Sequence, residues 1–189
     1  MFIGHYNKAN LLTLLGLLFS LSGGFFALQK NWRLAVILLI CAGVCDLFDG
    51  VIARRLTRTA EEKAFGVQFD TVVDVVSFCV VPAVIVHAQT GAAWVCAVYI
   101  ACGLIRLAYF NTIAEARGPV AHYQGVPVTY ISLVLPIMLL FHHDIVTIST
   151  LAVMAVLYIA NIKIPKPRGV WYIVFPLMAV VFAAVWWFV

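Results

Sequence analysis

Six of the eight acidic residues in this 189-residue chain lie within residues 46–74, and four of them are aspartates that form two pairs. Asp46 and Asp49 are three residues apart, and Asp70 and Asp74 are four residues apart. Either spacing places both carboxylates of a pair on one face of a helix. Four carboxylates that are brought together repel one another unless a cation lies between them. Such an all-oxygen site suits hard divalent ions such as Mg²⁺, which commonly also bind substrate phosphates.

The sequence on both sides of these pairs is mostly apolar, so the carboxylates belong to helices of the membrane type. An ionised Asp inside a membrane is costly, and it usually faces the interior of a helix bundle. A paired acid near a helix end is, taken singly, often a capping or solvated group. Four acids in two apolar helices, close to Gly50 and Gly66, instead predict a cation site.

The spacing of these residues resembles the signature of the CDP-alcohol phosphatidyltransferase family, and every defining position of that signature is filled. The motif reads Asp46-x-x-Asp49-Gly50-x-x-Ala53-Arg54, then eleven residues, then Gly66-x-x-x-Asp70-x-x-x-Asp74. It covers 29 residues, and the insert between its halves is a little longer than the commonest form. The resemblance implies an all-α, polytopic transmembrane helix bundle with a six-helix core.

The same resemblance implies a reaction in which CDP-diacylglycerol donates its phosphatidyl group to an alcohol and CMP is released. It implies that the four aspartates hold two ions of Mg²⁺ or Mn²⁺, and that Asp74 also acts as general base on the acceptor hydroxyl. The CDP moiety would be bound by Gly50, Ala53, Arg54 and Gly66. Arg54 suits this place because a guanidinium matches phosphate geometry. Members of the family are often homodimers.

Three further stretches resemble the phosphatidylserine synthase branch of the family. Thr71 and Ser77-Phe78 extend the second half of the motif, and residues 106–111 read Arg-Leu-Ala-Tyr-Phe-Asn. Residues 123–129 read Tyr-Gln-Gly-Val-Pro-Val-Thr and resemble an aromatic-x-Gly-x-Pro segment before the fifth helix. L-Serine is therefore the favoured acceptor. Arg106, inside a predicted span and six residues before its end, would meet the serine carboxylate or a phosphate, since an intramembrane Arg needs an anionic partner.

Other functions stay open from the sequence. Glycerol 3-phosphate is the alternative acceptor, because Arg54, Arg106, Arg117 and the 163–168 loop could together bind its phosphate. An ion or metal transporter could use the four aspartates as a permeation site. Against a transporter, the acids cluster at one face, and the sequence has neither an internal repeat nor a second acidic layer. Metal-dependent turnover of a CDP-lipid would separate the two classes.

The composition sets the class of protein. The chain is 65% hydrophobic and 11% charged, with a mean hydropathy of +1.06, whereas soluble domains have about 25% charged residues. It is predicted to form one integral membrane domain over residues 1–189. The net charge is +4. The basic residues are interpreted as topology signals and as contacts to anions and membrane lipids, and no nucleic-acid partner is expected. The five cysteines lie in apolar runs without metal-finger spacing, which predicts small buried residues.

Seven apolar runs are predicted to span the membrane, one more than the family core. They cover approximately residues 10–28, 34–55, 66–88, 92–112, 126–141, 145–161 and 170–188. One set of connections is rich in Lys and Arg, and the other holds only Lys30 and Arg33. The positive-inside rule therefore predicts a cytoplasmic N-terminus, an external C-terminus and an active site toward the cytoplasm, in a protein of the cell membrane. The first run is long enough to be a true span and not a cleavable signal peptide.

Polar residues near two helix starts lead to further predictions about capping and solvation. Asn10 and Thr13 open the first apolar run and are expected to cap its helix, although the resemblance also allows a place near the nucleotide. Glu61 and Glu62 are expected to be solvated or to cap the third helix. His122 and the turn at His142 and His143 are expected to be solvated.

Overall fold

The computed structural model describes residues 3–117, 122–165 and 169–188. Some residues named in the sequence analysis, or their side chains, lie outside this description. They are Arg117, His122, Tyr123, Lys166 and Arg168.

Helices make up most of the described chain. The α-helices are α1 (Lys8–Leu28), α2 (Trp32–Arg55), α3 (Ala60–Asp74), α4 (Val81–Thr90), α5 (Ala93–Arg117), α6 (Ile131–Leu139), α7 (Asp144–Ile159) and α8 (Trp171–Phe188). A π-helical segment, Val75–Val80, joins α3 to α4, and a 3₁₀ turn, Val128–Tyr130, precedes α6. Two three-residue strands, β1 (His122–Gln124) and β2 (Lys163–Pro165), pair antiparallel. The predicted all-α membrane bundle is confirmed, with this short ribbon as its one addition among the described residues.

The helices match the seven predicted apolar runs in order. Within the described residues, the stretches long and apolar enough to cross a membrane are Lys8–Leu28, Trp32–Arg55, Ala60–Thr90 and Ala93–Ile113. Shorter apolar helices cover Val128–Leu139, Asp144–Ile159 and Tyr172–Phe188. The chain is therefore a membrane protein. A crossing by each of the three shorter helices stays a prediction, because a helix of 20 residues is needed to span about 30 Å.

The first helix begins earlier than predicted. Asn7 caps α1, since its side-chain oxygen accepts from the N–H groups of Ala9 and Asn10 at 3.1 and 3.0 Å. The prediction that Asn10 and Thr13 cap this helix is wrong, because Asn7 satisfies the first free N–H groups one turn sooner. Asn10 and Thr13 are instead buried on the inner face of α1.

The third helix also begins earlier, at Ala60 and not at residue 66. Thr59 and Glu62 form a capping box, with the Glu62 side chain accepting from Thr59 N–H at 2.8 Å and Thr59 Oγ1 accepting from Glu62 N–H at 3.2 Å. The capping role expected for Glu62 is confirmed. The capping box adds a polar first turn and a half to the apolar run, so α3 extends beyond the predicted span.

Small residues let α1 and α2 approach closely. A Cβ added to Gly23 would lie 2.9 Å from the carbonyl oxygen of Ala35, and one added to Gly16 would lie 3.0 Å from Cys45 Cβ. Between membrane helices, such small residues permit tight backbone packing. The close contact of α1 with α2 brings Thr13 against Asp49.

The core lies between α2, the Ala60–Thr90 helix, α5, α6 and α7. Its largest fully buried side chains include Leu39, Phe78, Tyr99, Leu135 and Tyr158. The five cysteines are unpaired. The burial predicted for all five is found for three of them, whereas Cys41 and Cys102 are half-buried. Large apolar side chains on the outer surface, such as Leu18, Phe25 and Val156, are those expected of helices that face lipid.

Candidate active site

The two Asp pairs meet between α2 and α3. Carboxylate oxygens of Asp46, Asp49 and Asp70 lie within 4.8 Å of one another, and the carboxyl groups of Asp46 and Asp74 are in direct contact. The helical spacing places each pair on one face, and α1 packs against both α2 and α3, so that the two faces meet beside it. The structure thus brings together the four residues predicted to hold metal, while their roles stay predictions.

A cavity of about 390 Å³ opens beside the carboxylates. Besides the four aspartates, its polar lining includes Arg54, Thr71, Arg106, Asn111, Thr129, Tyr130, Ser132 and Tyr172, and Gly50 also lines it. Its apolar lining includes Ile40, Val44, Leu133, Phe175 and Ala179. The cavity therefore joins a strongly charged end to a nonpolar flank, the arrangement needed for a lipid with a charged head.

Each aspartate of α2 is held by a threonine from another segment. Thr13 on α1 donates from Oγ1 to Asp49 Oδ2 at 2.5 Å. Thr129, in the Val128–Tyr130 turn, donates from Oγ1 to Asp46 Oδ2 at 2.9 Å. Both bonds orient a carboxylate toward the cavity. The sequence analysis did not assign Thr129 to the site, although Thr129 ends the Tyr-Gln-Gly-Val-Pro-Val-Thr run that resembles the family branch.

The segment before Thr129 is fixed by backbone contacts to the end of α7. Gly125 has φ +73°, and its N–H donates to the Ile162 carbonyl at 2.9 Å. A Cβ on Gly125 would collide with the carbonyl oxygen of Tyr158. Val126 N–H donates to the Leu157 carbonyl at 3.1 Å. This close approach sets the position of the turn that carries Thr129. It also explains structurally why the Gly-x-Pro segment has a glycine at residue 125.

Arg106 is buried in the cavity wall, with 6% of its surface exposed. Its guanidinium carbon lies 5.7 Å from the centre of the Phe110 ring, and its charge acts on Asp46. The span predicted to hold Arg106 ends at residue 112, close to the Ala93–Ile113 span of the structure, while the helix α5 itself continues to Arg117. The polar residues after the apolar run extend the helix, so Arg106 lies deep in α5.

Only two of the four residues predicted to bind the CDP moiety line the cavity. Gly50 and Arg54 line the cavity, and Arg54 Nη2 donates to the Tyr172 hydroxyl oxygen on α8 at 3.2 Å. Gly66 lies outside that lining, where an added Cβ would lie 3.3 Å from Asn10 Oδ1. Ala53 is half-buried and also lies outside it. The nucleotide role of these four residues stays a prediction, and Tyr172 is a contact that the sequence analysis missed.

The residues that resemble the serine branch take two different places. Thr71 and Asn111 both line the cavity, where Asn111 Nδ2 donates to Thr71 Oγ1 at 2.8 Å and joins α5 to α3. Ser77, in contrast, is buried beneath the carboxylates in the π-helical segment. Thr71, Asn111 and Arg106 could thus contact an acceptor, whereas Ser77 is part of the site's support.

The basic residues considered for a phosphate acceptor are only partly brought together. Arg54 and Arg106 line the cavity. Lys163 is exposed in β2. The remaining members of that set, Arg117, Lys166 and Arg168, lie outside the described side chains.

The carboxylate cluster fits a hard divalent cation. Its donors are all carboxylate oxygens, and Asp74 Oδ1 is buried without a hydrogen-bond partner among the described residues. Neither Cys nor His is found in the described lining of the cavity. This donor set suits Mg²⁺ or Mn²⁺ and would be unusual for a structural zinc.

Comparison with known proteins agrees with this geometry. The sequence profile of CDP-alcohol phosphatidyltransferase matches residues 6–185. CDP-diacylglycerol–serine O-phosphatidyltransferase of Helicobacter pylori (strain ATCC 700392 / 26695) is 26% identical over 180 residues, covering 87% of this chain and 74% of the relative. The enzyme of that name from Mycobacterium leprae is 33% identical over 109 residues, covering 55% and 35%. Archaetidylserine synthase of Methanothermobacter thermautotrophicus is 26% identical over 150 residues, covering 76% and 63%. The chain therefore belongs to the CDP-alcohol phosphatidyltransferase family, as a membrane-embedded transferase.

Proposed function

We propose that this protein transfers the phosphatidyl group of CDP-diacylglycerol to the hydroxyl of L-serine, forming phosphatidylserine and CMP. The observation that carries the proposal is the cavity itself, where four carboxylates face the buried cation Arg106 beside Thr71 and Asn111. The names of the relatives from Helicobacter pylori and Mycobacterium leprae support serine as the acceptor.

Asp46, Asp49, Asp70 and Asp74 would hold two ions of Mg²⁺ or Mn²⁺. When bound, such ions offset the negative charge of the donor's phosphate oxygens. Thr13 and Thr129 keep Asp49 and Asp46 in fixed orientations through their hydrogen bonds. Outer contacts of this kind orient metal-binding carboxylates and limit the rearrangement needed on binding.

Asp74 is proposed as the general base. The serine Oγ attacks the phosphorus that carries the diacylglycerol, and a new P–O bond forms. The bond from that phosphorus to the CMP oxygen breaks, and CMP leaves with the electron pair. Asp74 accepts the proton of the serine hydroxyl, for which its buried Oδ1 is suited because no described group occupies that atom.

The remaining substrate contacts are assigned to the charged end and the nonpolar flank of the cavity. Arg54 would bind a donor phosphate, with Gly50, Ala53 and Gly66 leaving room for the rest of the CDP moiety. Arg106 would pair with the serine carboxylate. The nonpolar flank between α2 and α8 would receive the acyl chains, since it lies beside the charged end and is lined by apolar side chains.

The proposal includes orientation and assembly. Arg55 ends α2, Arg58 lies in the connection to α3, and Lys63 lies near the start of α3, all close to the motif. The positive-inside rule puts that end of the bundle in the cytoplasm. Serine and CMP, both water-soluble, would enter and leave there. The protein is proposed to lie in the cell membrane as a homodimer, which rests on analogy with the family.

Glycerol 3-phosphate is the second candidate acceptor. It is favoured by one observation, the presence of two arginines, Arg54 and Arg106, in the same cavity. The chemistry would be unchanged, because a primary hydroxyl would attack the same phosphorus. An ion transporter is no longer a competing function, since the chain belongs to an enzyme family.

The test is CMP release from CDP-diacylglycerol by the purified protein with Mn²⁺. L-Serine, glycerol 3-phosphate and inositol are offered in separate reactions. Asp74→Asn is the inactive variant, and Asp144→Asn, an exposed Asp at the start of α7, is the matched control. Serine-dependent release that Asp74→Asn abolishes and Asp144→Asn retains supports the proposal. Release with glycerol 3-phosphate alone replaces the acceptor, and no release with any acceptor refutes the reaction.

A further inference from the structure

The helix that carries Asp70 and Asp74 changes its winding directly after Asp74. Residues Val75–Val80 are π-helical, between α3 and α4. A π-helical turn is wider than an α-helical turn and shifts the backbone carbonyls, and such turns are frequent at functional sites. The irregular turn is buried, because Ser77, Phe78 and Cys79 are almost inaccessible. It therefore needs contacts from neighbouring helices to be kept in one conformation.

Two carbonyls of the π-helical segment accept hydrogen bonds from other helices. Ser20 on α1 donates from Oγ to the Ser77 carbonyl at 3.1 Å. Tyr99 on α5 donates from its hydroxyl to the Phe78 carbonyl at 2.6 Å. At Gly103, one turn after Tyr99, an added Cβ would collide with Cys79 Sγ, so α5 lies directly against the segment. The conformation after Asp74 is thus held from two sides.

Tyr99 connects this segment to the opposite side of the site. Because Tyr99 donates its own proton to Phe78, the Tyr158 hydroxyl on α7 is the donor within the pair, and it shares its one proton between the Tyr99 oxygen at 3.0 Å and the Val128 carbonyl at 3.2 Å. The two tyrosines are 0% and 2% exposed. Polar groups inside a membrane bundle must find partners within the protein, which makes this buried chain of contacts costly to break.

The two ends of this series of hydrogen-bonded contacts lie next to the aspartates. Val128 immediately precedes Thr129, which donates to Asp46 at 2.9 Å. The π-helical segment begins immediately after Asp74. The tyrosine pair therefore links the backbone that carries Asp74 to the turn that orients Asp46. These are the two carboxyl groups in direct contact, and their repulsion in the ionised state must be resisted by the surrounding structure.

We propose that Tyr99 and Tyr158 are positioning residues, which hold Asp46 and Asp74 at the spacing that a divalent cation requires. This inference rests on the proposed metal site, and neither tyrosine is said to touch a substrate. Removing either hydroxyl breaks the link and lets the π-helical segment and the Val128–Tyr130 turn relax independently. The expected consequence is weaker cation binding by a protein that is still folded.

The test is Mn²⁺ binding to the purified full-length protein in detergent, followed by electron paramagnetic resonance of the free ion. Tyr99→Phe and Tyr158→Phe each keep the ring and remove one hydroxyl. We expect the Mn²⁺ dissociation constant to rise about tenfold in each, at the lower end of effects seen for outer contacts of metal sites. The double variant should be little weaker than either single variant, because both hydroxyls belong to one chain of contacts.

Two controls separate positioning from general stability. Tyr109→Phe changes an exposed tyrosine on α5 and should leave both Mn²⁺ affinity and melting temperature unchanged. Trp186→Phe removes another buried hydrogen bond, from Trp186 Nε1 to the Pro136 carbonyl at 3.0 Å, between two residues that do not line the cavity. It should lower the melting temperature and leave Mn²⁺ affinity as in the wild type.

The outcomes are distinct for the two proposals. Tyrosine variants that melt earlier but bind Mn²⁺ within twofold of the wild type would overturn the positioning role. Weakened Mn²⁺ binding together with a wild type that releases no CMP with serine would support the positioning role and refute the proposed acceptor. A wild-type protein that binds no Mn²⁺ would overturn both the metal site and its positioning residues.

Discussion

The two sides of the cavity are built in different ways. The side formed by α2 and α3 carries its aspartates within 29 consecutive residues, where helical periodicity sets the relative direction of each pair. The opposite side takes Arg106 from α5, Thr129 from the 3₁₀ turn and Tyr172 from α8. Local sequence therefore encodes the charged cluster, and tertiary packing assembles what faces it.

This difference suggests that the two sides of the cavity have different roles in the reaction. We propose that the motif side supplies the chemistry at phosphorus. The opposite side would distinguish the acceptor and the lipid chains. Changes on the motif side should then abolish turnover with any acceptor. Changes on the opposite side should alter the use of one substrate.

The largest effect is expected for Asp49→Asn. Loss of one carboxylate should remove Mn²⁺ binding and lower CMP release by about a hundredfold or more with every acceptor, since charge stabilisation by a metal contributes several kcal/mol. Treatment with a chelator should have the same effect in the wild type and be reversed by Mn²⁺. Equal activity of Asp49→Asn and wild type with any one acceptor would contradict the common role of the motif side.

Arg106→Gln should produce the next largest effect, restricted to one substrate. A charge-assisted hydrogen bond to a carboxylate contributes about 1.5–3 kcal/mol, which corresponds to a fall of about tenfold to a hundredfold in kcat/KM for serine. The KM for CDP-diacylglycerol should stay near the wild-type value. Arg106→Lys should recover only part of the loss, because Lys lacks the planar fork of Arg. An increase in KM for the donor alone would assign Arg106 to the donor phosphate.

The two threonines allow a direct comparison of the two sides. Thr13→Val and Thr129→Val each remove one hydroxyl bonded to an aspartate of α2 and keep nearly the same volume. Each should weaken Mn²⁺ binding by about tenfold, as loss of an outer contact does. Equal effects, measured by the free-ion signal, would show that the cation site depends on both sides. Wild-type Mn²⁺ affinity in Thr129→Val would instead show that the cation site depends only on α1, α2 and α3.

Tyr172→Phe should have the smallest effect. The hydrogen bond from Arg54 to Tyr172 is exposed, so its removal should raise the KM for CDP-diacylglycerol about threefold to fivefold, near 1 kcal/mol, with kcat unchanged. Tyr6→Phe, at another exposed tyrosine, is the matched control. A fall in kcat would instead indicate that α8 positions the reacting groups and not only the donor.

Several features could be predicted from the sequence because they depend on local rules. Apolar runs of sufficient length gave the order of the helices, and the Asp spacing gave the two faces that meet. The earlier start of α1 could have been predicted too, since Asn7 is as good a cap as Asn10. The capping box at Thr59 and Glu62 was likewise visible as a sequence pattern.

Other features could not be predicted, for physical reasons. Thr129 reaches Asp46 only because Gly125 allows the chain to run against the end of α7. The π-helical segment has an ordinary apolar sequence, and its winding depends on bonds from Ser20 and Tyr99 on other helices. The depth of Arg106 depended on how far α5 continues beyond its apolar run.

By itself, the sequence determined the membrane class, the succession of helices and the charged cluster, because length, hydropathy and helical period act over at most a few turns. Only the tertiary structure decided which threonine meets which aspartate, which tyrosines connect them and which residues close the cavity. Those contacts join residues 36 to 118 positions apart. They are fixed by the packing of several helices at once, and no local pattern in the chain specifies them.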